Sequence, residues 1–433
     1  MKSLAPWKAL ALALIAATIG VSAEMSKAAD ITNFLSGNLV IMRGGDATSS
    51  QSTFSSGEVP AYLDEYNVTV SGGIATPVFI GSFTIPTATL TLPGSAQNSH
   101  EGRLELSGDG RFLDFAGYQQ PISAATTRRT DSLGTGSYYQ IGQVSVNAVF
   151  TNSALNTAVA QPQFVRGAFS QDGAEAWVAS KNPSGGLEYV SGFGDGSPAT
   201  VQLQATTDWR DIKINSNQLY GGTGSSSVGT HGFYAIGGTT PPTSGTPGNT
   251  LLTGVTDTST SGFSFATLPV TAGSQPINGV AGTPNTVYIL GDPSGNQYIA
   301  KGFSAGGTAL GTGNLTLASR ITLNTDQFDN SIPAKPIGIL SPEAIVAKID
   351  PDNSSWVDLF VQNANGVYFS IDKSGTNGGD FGALTFHQII NATGDTSFYG
   401  LAPAPVPEPS TFVLAGIGIA GLAGTWLKRR RSL

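Results

Sequence analysis

The chain has 433 residues, 12% of them charged, with 56 glycines and no cysteine. Between residues 31 and 405 there are 14 Lys and Arg against 26 Asp and Glu, an acidic balance that argues against nucleic acid or anionic lipid as partner. The lack of cysteine excludes disulfides, thiolate metal sites and a Cys nucleophile, so stability must come from burial and strand pairing.

At the start, Lys2 and Lys8 precede an apolar stretch from Ala9 to Val21, and Val21-Ser22-Ala23 or Lys27-Ala28-Ala29 offers small residues to a signal peptidase. Residues 1–29 are therefore expected to be a signal peptide, and residues 30–405 the exported body. The body is rich in Gly, Ser and Thr, yet its Val, Ile, Leu, Phe and Tyr are spread in short alternating runs that a disordered segment does not need. No stretch sustains a 3.6-residue apolar period, so the body is expected to be all-β.

A tight-turn signal recurs at Ser36-Gly37-Asn38, Gly108-Asp109-Gly110, Gln171-Asp172-Gly173, Ser216-Asn217, Thr283-Pro284-Asn285 and Asp352-Asn353-Ser354. A strand is expected after each: Leu39 to Met42, Phe112 to Phe115, Ala176 to Ala179, Gln218 to Tyr220, Val287 to Leu290 and Val357 to Phe360. Partners follow downstream at Gly186 to Val190, Gly232 to Ile236, Gln297 to Ala300 and Val367 to Ile371. A further run closes each unit: Pro77 to Ile85, Val144 to Phe150, Val201 to Ala205, Phe263 to Val270, Leu315 to Leu323 and Leu384 to Ile390.

Six units of four strands, repeating about every 63 residues, predict a β-propeller. Blades would stack face to face, share one apolar ring and close by pairing Asp30 to Phe34 with the last blade. A seventh blade and the rival arrangement of two β-sandwiches remain open at this level. Excess length sits in loops such as Thr239 to Gly248 and Ala124 to Gly136. Several stretches, Gly37 to Ile41, Leu63 to Tyr66, His100-Glu101-Gly102 with Ser107 to Arg111, Ala116 to Tyr118 and Asn217 to Tyr220, resemble secreted bacterial propeller-like proteins of unassigned activity. That resemblance implies the fold and supplies no chemistry.

The end of the chain reads as an address. Val406-Pro407-Glu408-Pro409-Ser410 leads into an apolar run from Thr411 to Leu427 and then into Lys428-Arg429-Arg430-Arg431. The run is about 17 residues, at the short end of what crosses a hydrocarbon core of roughly 30 Å, and the basic cluster would stay on the cytoplasmic side. Residues 406–433 thus resemble the PEP-CTERM sorting signal, with Pro407, Glu408 and Pro409 as its motif, one transmembrane helix, and Lys428, Arg429, Arg430 and Arg431 as its retention tail. The resemblance implies a membrane-anchored precursor, an exosortase-type processing enzyme as partner, delivery to the cell surface or exterior, and association with exopolysaccharide.

Candidate chemistry is sparse. A Ser-His-Asp triad needs a histidine, and only His100, His231 and His387 exist, none beside a Gly-x-Ser-x-Gly elbow. His100-Glu101 lacks the second histidine of a zinc helix. Asp350-Pro351-Asp352-Asn353 offers oxygens to a structural calcium, yet lacks the Gly and distant Glu of a calcium loop, so a polar turn with Asp and Asn bonding their own backbone is the preferred reading. Ser170-Gln171-Asp172-Gly173 through Trp177 resembles the Asp-box turn of sialidase-like propellers, with its Gly one place early. Gly221-Gly222-Thr223-Gly224 lacks the ending of a phosphate loop. Glycoside cleavage needs paired carboxylates; Asp64-Glu65, Glu101 and Glu105 are candidates, but no pairing follows from sequence. On strands, Glu101, Arg103 and Glu105 would share one face, as would Asp211 and Lys213, putting charge on the inner strands of blades two and four. Either a charged axial channel or plain solvent exposure follows, with exposure preferred. Tyr138, Tyr139, Trp209 and Trp356 could stack on sugars if exposed.

The expectation is a non-enzymatic exported binding or matrix protein associated with exopolysaccharide. No catalytic set, no metal ligand and no cofactor is assigned beyond the open calcium reading. The alternatives are a secreted hydrolase or lyase acting on a sugar or lactone, and a purely structural coat or spacer without a saturable ligand.

Overall fold

A computed structural model describes residues 30–46, 58–94, 101–119, 122, 139–155, 164–181, 186–193, 199–205, 207–215, 217–223, 232–252, 262–269, 284–291, 298–303, 315–323, 328–329, 343–375, 380–382, 384–392 and 396–407. These form a six-bladed β-propeller, and none of them is helical. From the axis outward, blade 1 is Ser397–Pro403, Leu39–Gly44, Ala61–Ser71 and Ile74–Thr84. Blade 2 is Leu104–Leu106, Phe112–Tyr118, Tyr139–Ser145 and Phe150–Ala154. Blade 3 is Phe164–Phe169, Glu175–Lys181, Leu187–Ser191 and Ala199–Gln204, and blade 4 is Trp209–Asn215, Gln218–Thr223, Gly232–Ile236 and Asn249–Leu251. Blade 5 is Gly262–Pro269, Pro284–Gly291, Tyr298–Phe303 and Thr316–Thr322. Blade 6 is Ala344–Ile349, Val357–Asn363, Gly366–Asp372 and Phe386–Asn391, with Phe328–Asp329 added in parallel outside.

Burial falls with distance from the axis, which explains the sequence pattern. Second strands such as Leu39–Gly44, Gln218–Thr223 and Val357–Asn363 are buried at every position, because a blade lies against each of their faces. Outer strands such as Phe150–Ala154 keep only one buried residue. Continuous apolar runs therefore mark the inside of a blade and diluted runs its rim. Instead of one shared apolar ring, the core of the described residues is six clusters, one at each blade-to-blade interface. Polar and charged side chains on the inner strands separate them at the axis. Buried pairs also sit inside the interfaces: Lys301 of blade 5 donates to Asp372 of blade 6 at 2.8 Å, and the Tyr288 hydroxyl donates to the same carboxylate at 2.7 Å.

Each expected second strand forms. The turns before them interlock: the amides of Gly108 and Asp109 donate to the carbonyls of Ser170 and Gln171 at 2.9 and 2.8 Å, coupling blades 2 and 3. Gly110 and Gly173 hold φ of +77° and +85° there, a region that disfavours any side chain. The loop from Thr239 to Gly248 packs on blade 3, where the Trp177 indole donates to the Pro242 carbonyl at 2.7 Å.

Three assignments are corrected. The ring closes through the C-terminal strand Ser397–Pro403, which pairs with Leu39–Gly44, whereas Asp30 only bridges Ser82 at the rim of the same blade. The run from Val144 to Phe150 spans the turn between two strands, the rim strand of blade 2 being Phe150–Ala154. Phe263 to Val270 falls in the inner strand of blade 5, not in the rim of blade 4, a place taken by Asn249–Leu251. Aromatic β-branched runs look alike at both radii, so periodicity does not separate an inner strand from a rim strand.

Closure depends on Tyr399, which is buried between Gly44 and Gly102 and donates to the Pro93 carbonyl. Tyr399→Ala should cost about 3–5 kcal/mol in denaturant unfolding. It should also promote self-association in light scattering, because loosening Ser397–Pro403 exposes Leu39–Gly44 as a free edge.

Candidate functional site

All six inner strands run in the same sense, from one end of the axis, the entry end, to the end that carries the turns to the second strands. Charged residues cluster where these strands begin. Arg103 immediately precedes the blade 2 strand, Arg166 lies early in that of blade 3, Asp208, Arg210 and Asp211 open that of blade 4, and Glu343 precedes that of blade 6. Further along sit Glu105 and Lys213.

Arg166 and Arg210 are the extra residues of two β-bulges, since pairing jumps from Val165 to Gly167 and from Trp209 to Asp211. A bulge re-aims the side chain it carries. Both guanidiniums converge on Asp208, Arg166 at 3.3 Å and Arg210 at 2.9 Å. Arg103, 2% exposed, donates through Nη1 to the Glu343 carbonyl at 2.7 Å, and its amide donates to the Arg166 carbonyl at 3.1 Å. Its Cβ reaches within 3.1 Å of where a Cβ on Gly167 would stand, so a small residue is needed in blade 3. Burial lowers the Arg103 pKa, opposed by Asp211, Glu343 and Glu105. Burial pushes the Glu343 carboxyl up to about 8, against the opposing pull of Arg103, Gln362 and Arg166.

Deeper along the axis, Lys213 bridges Glu105 at 3.1 Å and Asp211 at 3.8 Å and donates to the Phe265 carbonyl at 2.6 Å. The Phe265 amide donates to Asp211 at 3.2 Å. Glu105 and Asp211 are hydrogen-bonded to one another; burial, then the Asp211 charge, holds the Glu105 carboxyl well above the ordinary range despite Lys213. Burial works against the Lys213 ammonium, and Asp211 and Glu105 outweigh it, leaving its pKa raised.

The axial reading therefore replaces solvent exposure for Arg103, Glu105 and Asp211, all buried. Glu101 does not share their face. Gly102, at φ +72°, breaks the strand before Leu104, and Glu101 accepts a hydrogen bond from the Tyr118 hydroxyl instead. Asp64 and Glu65 serve blade 1, Asp64 pairing with Arg43 and Glu65 accepting from the Leu35 amide and the Asn38 amide group, each at 2.7 Å. Arg166, Asp208, Arg210 and Glu343 were not anticipated. Their signal was present: in a chain that is 12% charged, each falls within a few residues of an inner-strand start.

Of the aromatic candidates, Tyr139 and Trp209 are core residues and Trp356 is half-buried beneath Lys373. Tyr138, His100 and His231 lie outside the described residues, and His387 is exposed on the fourth strand of blade 6. In the Asp350 turn the carboxylate accepts the amides of Asp352 and Asn353 at 2.7 and 2.8 Å, and Asp352 accepts the Gly72 amide at 3.0 Å. These oxygens are thus committed to backbone. Among the described residues no group of three or more His, Asp or Glu is placed to hold a metal ion.

The chain leaves the propeller at the turn end. The Ala404 amide donates to the Asn38 carbonyl at 2.9 Å and the Val406 amide to the Gly110 carbonyl at 2.8 Å, after which Pro407 is exposed. Residues 405–431 match the family described as PEP-CTERM protein-sorting motif. The chain carries a PEP-CTERM sorting signal. It is thus an exported protein whose C-terminal segment is the recognition signal for exosortase processing. Glu408, Pro409, the apolar run and the Lys428 to Arg431 tail lie outside the described residues, as do residues 1–29. Among the described residues no helix is long and apolar enough to cross a membrane.

No curated protein sequence matches the chain. Similar solved structures include the parainfluenza virus 5 hemagglutinin-neuraminidase ectodomain, at 9% identity and TM-score 0.40 over 90% of this chain and 94% of that one. The gluconolactonase XC5397 of Xanthomonas campestris follows at 11% and 0.35, over 71% and 82% of the two chains. The GH74 enzyme of Niastella koreensis aligns at 15% and 0.38, over 83% and 47%. Likenesses this distant carry no functional argument.

The buried carboxyls make a pH prediction. Burial raises Glu343 to about 8, Asp358 to about 8, Glu188 to about 7 and Asp114 to about 6. Each binds its proton more tightly folded than unfolded, so its contribution is full below the unfolded value and is lost as pH rises through the folded one, at about 1.4 kcal/mol per pH unit and group. Thermal stability should therefore fall between about pH 5 and about pH 9. Glu343→Gln should flatten that slope in a melting series.

Proposed function

We propose that this exported PEP-CTERM propeller is a non-enzymatic binding or matrix component associated with exopolysaccharide, displayed on the cell surface or released from it. The observation that carries this reading is the state of the axial carboxyl pair. Retaining glycosidases hold their two carboxyls roughly 5 Å apart, and inverting ones further, with one carboxylate free to attack or to activate water. Glu105 and Asp211 are instead hydrogen-bonded to one another, capped by Lys213 and, for Asp211, tied to the Phe265 amide. A pair tied to its neighbours in this way suits a rigid wall for a ligand more than an acid and a free nucleophile.

One feature favours the alternative of a hydrolase or lyase acting on a sugar or lactone. Burial and the Asp211 charge raise the Glu105 carboxyl above its ordinary range, the direction a general acid needs. The two readings separate when the full chain, in detergent micelles, is presented to an array of bacterial polysaccharides and the glycans are then analysed for size. Saturable binding with unchanged glycan is expected. Shortened glycan, with turnover lost in Glu105→Gln or Asp211→Asn, would establish the enzyme.

The sorting segment has its own test in the native host. Glu408→Ala should leave the precursor at its unprocessed size and in the membrane fraction; unchanged size and location would refute processing at that motif.

A further inference from the structure

Arg103 is charged, buried and incompletely used. Its Nη1 is taken by the Glu343 carbonyl, while Nε and Nη2 have no hydrogen-bond partner. Those two groups form the edge of a guanidinium that matches the two oxygens of a carboxylate side by side. Burying such donors unfilled is unfavourable. Asp211, Glu343, Glu105 and Arg166 are all near enough to act on Arg103 electrostatically.

The charge balance there is positive. Arg103, Arg166, Arg210 and Lys213 are the cations. Against them stand Asp208, which serves both Arg166 and Arg210, and the hydrogen-bonded Glu105–Asp211 pair. Glu343 adds little negative charge at neutral pH, because burial keeps its carboxyl protonated up to about 8.

We propose that the entry end of the axis binds a carboxylate, with Arg103 as the bidentate partner and Arg166 and Arg210 supplying the surrounding positive charge, and that the ligand is an acidic sugar. The sugar part of this inference rests on the glycan-binding reading above; the carboxylate part rests on Arg103. Arg–carboxylate pairing gives direction as well as attraction, so the acidic sugar enters with its carboxyl group toward the axis and its ring toward the entry end. The Glu343 carboxyl faces Arg103, Arg166 and Gln362. Its ionisation in alkaline solution places a competing negative charge beside the same guanidiniums and weakens binding.

The test is calorimetric titration of the full chain in detergent micelles with oligogalacturonate, with a neutral galactan oligosaccharide of equal length, and with sodium acetate. Oligogalacturonate is expected to bind saturably and more tightly than the neutral oligomer. Arg103→Lys keeps the charge and the fold but loses the fork, and should weaken uronate binding by about tenfold or more, as should Arg103→Gln. Raising the pH from about 6.5 to about 9 should weaken it too, and Glu343→Gln should reduce that dependence, the raised Glu105 carboxyl accounting for what remains. Neutral and acidic oligomers binding equally, or Arg103→Lys binding uronate as the wild type does, would overturn the carboxylate site while leaving glycan binding intact. Acetate binding that requires Arg103, with no oligosaccharide bound, would keep the carboxylate site and refute the sugar as its source. No binding of any of the three would overturn both readings.

Discussion

The pairing of Ser397–Pro403 with Leu39–Gly44 is the constraint on which the rest of the molecule depends. A propeller has no hydrophobic centre of its own; each blade is held by its two neighbours, so an open ring leaves two blades with a bare face. Here the closing strand is also the innermost strand of its blade, and its residues serve both the interface with blade 2, through Tyr399 and Ala402, and that with blade 6, through Phe398 and Leu401. The last strand made therefore completes two of the six interfaces at once. Everything at the axis, including the charged entry end, acquires its spacing only when this strand is in place.

Closing the ring forces six inner strands together, and the side chains they bring to the axis must be satisfied by one another. Glycines at 167 and 400 admit the blade 2 strand, and the bulges at Arg166 and Arg210 turn two guanidiniums onto one carboxylate. Removing a shared charge such as Asp208 or Lys213 takes a partner from two buried groups at once, which costs more than the pairs themselves contribute. The axis is thus polar because the geometry needs residues that can reach across it.

Much of the architecture was legible because turn chemistry is local. Gly37-Asn38, Asp109-Gly110, Asp172-Gly173 and Asn217 each mark the bend into a second strand, and the run that follows is buried on both faces. Closure was not legible, since Ser397–Pro403 reads as well as a rim strand of blade 6 as an inner strand of blade 1. The site was half legible. Glu105, Asp211 and Lys213 were found by strand alternation, while Glu101 was misplaced by the positive φ of Gly102, and the bulged Arg166 and Arg210 obey no alternation. A bulge changes which way a side chain points without leaving a mark in the residue pattern.

The tie between Val406 and Gly110 fixes where the sorting segment departs. Because every inner strand runs from the entry end to the turn end, the tail leaves on the side opposite Arg103, Arg166 and Arg210. Whatever grips the tail thus holds the propeller like a cup by its base. The cluster of Arg103, Arg166 and Arg210 then lies at the end of the axis further from that grip, so attachment and the charged cluster occupy opposite ends of the ring.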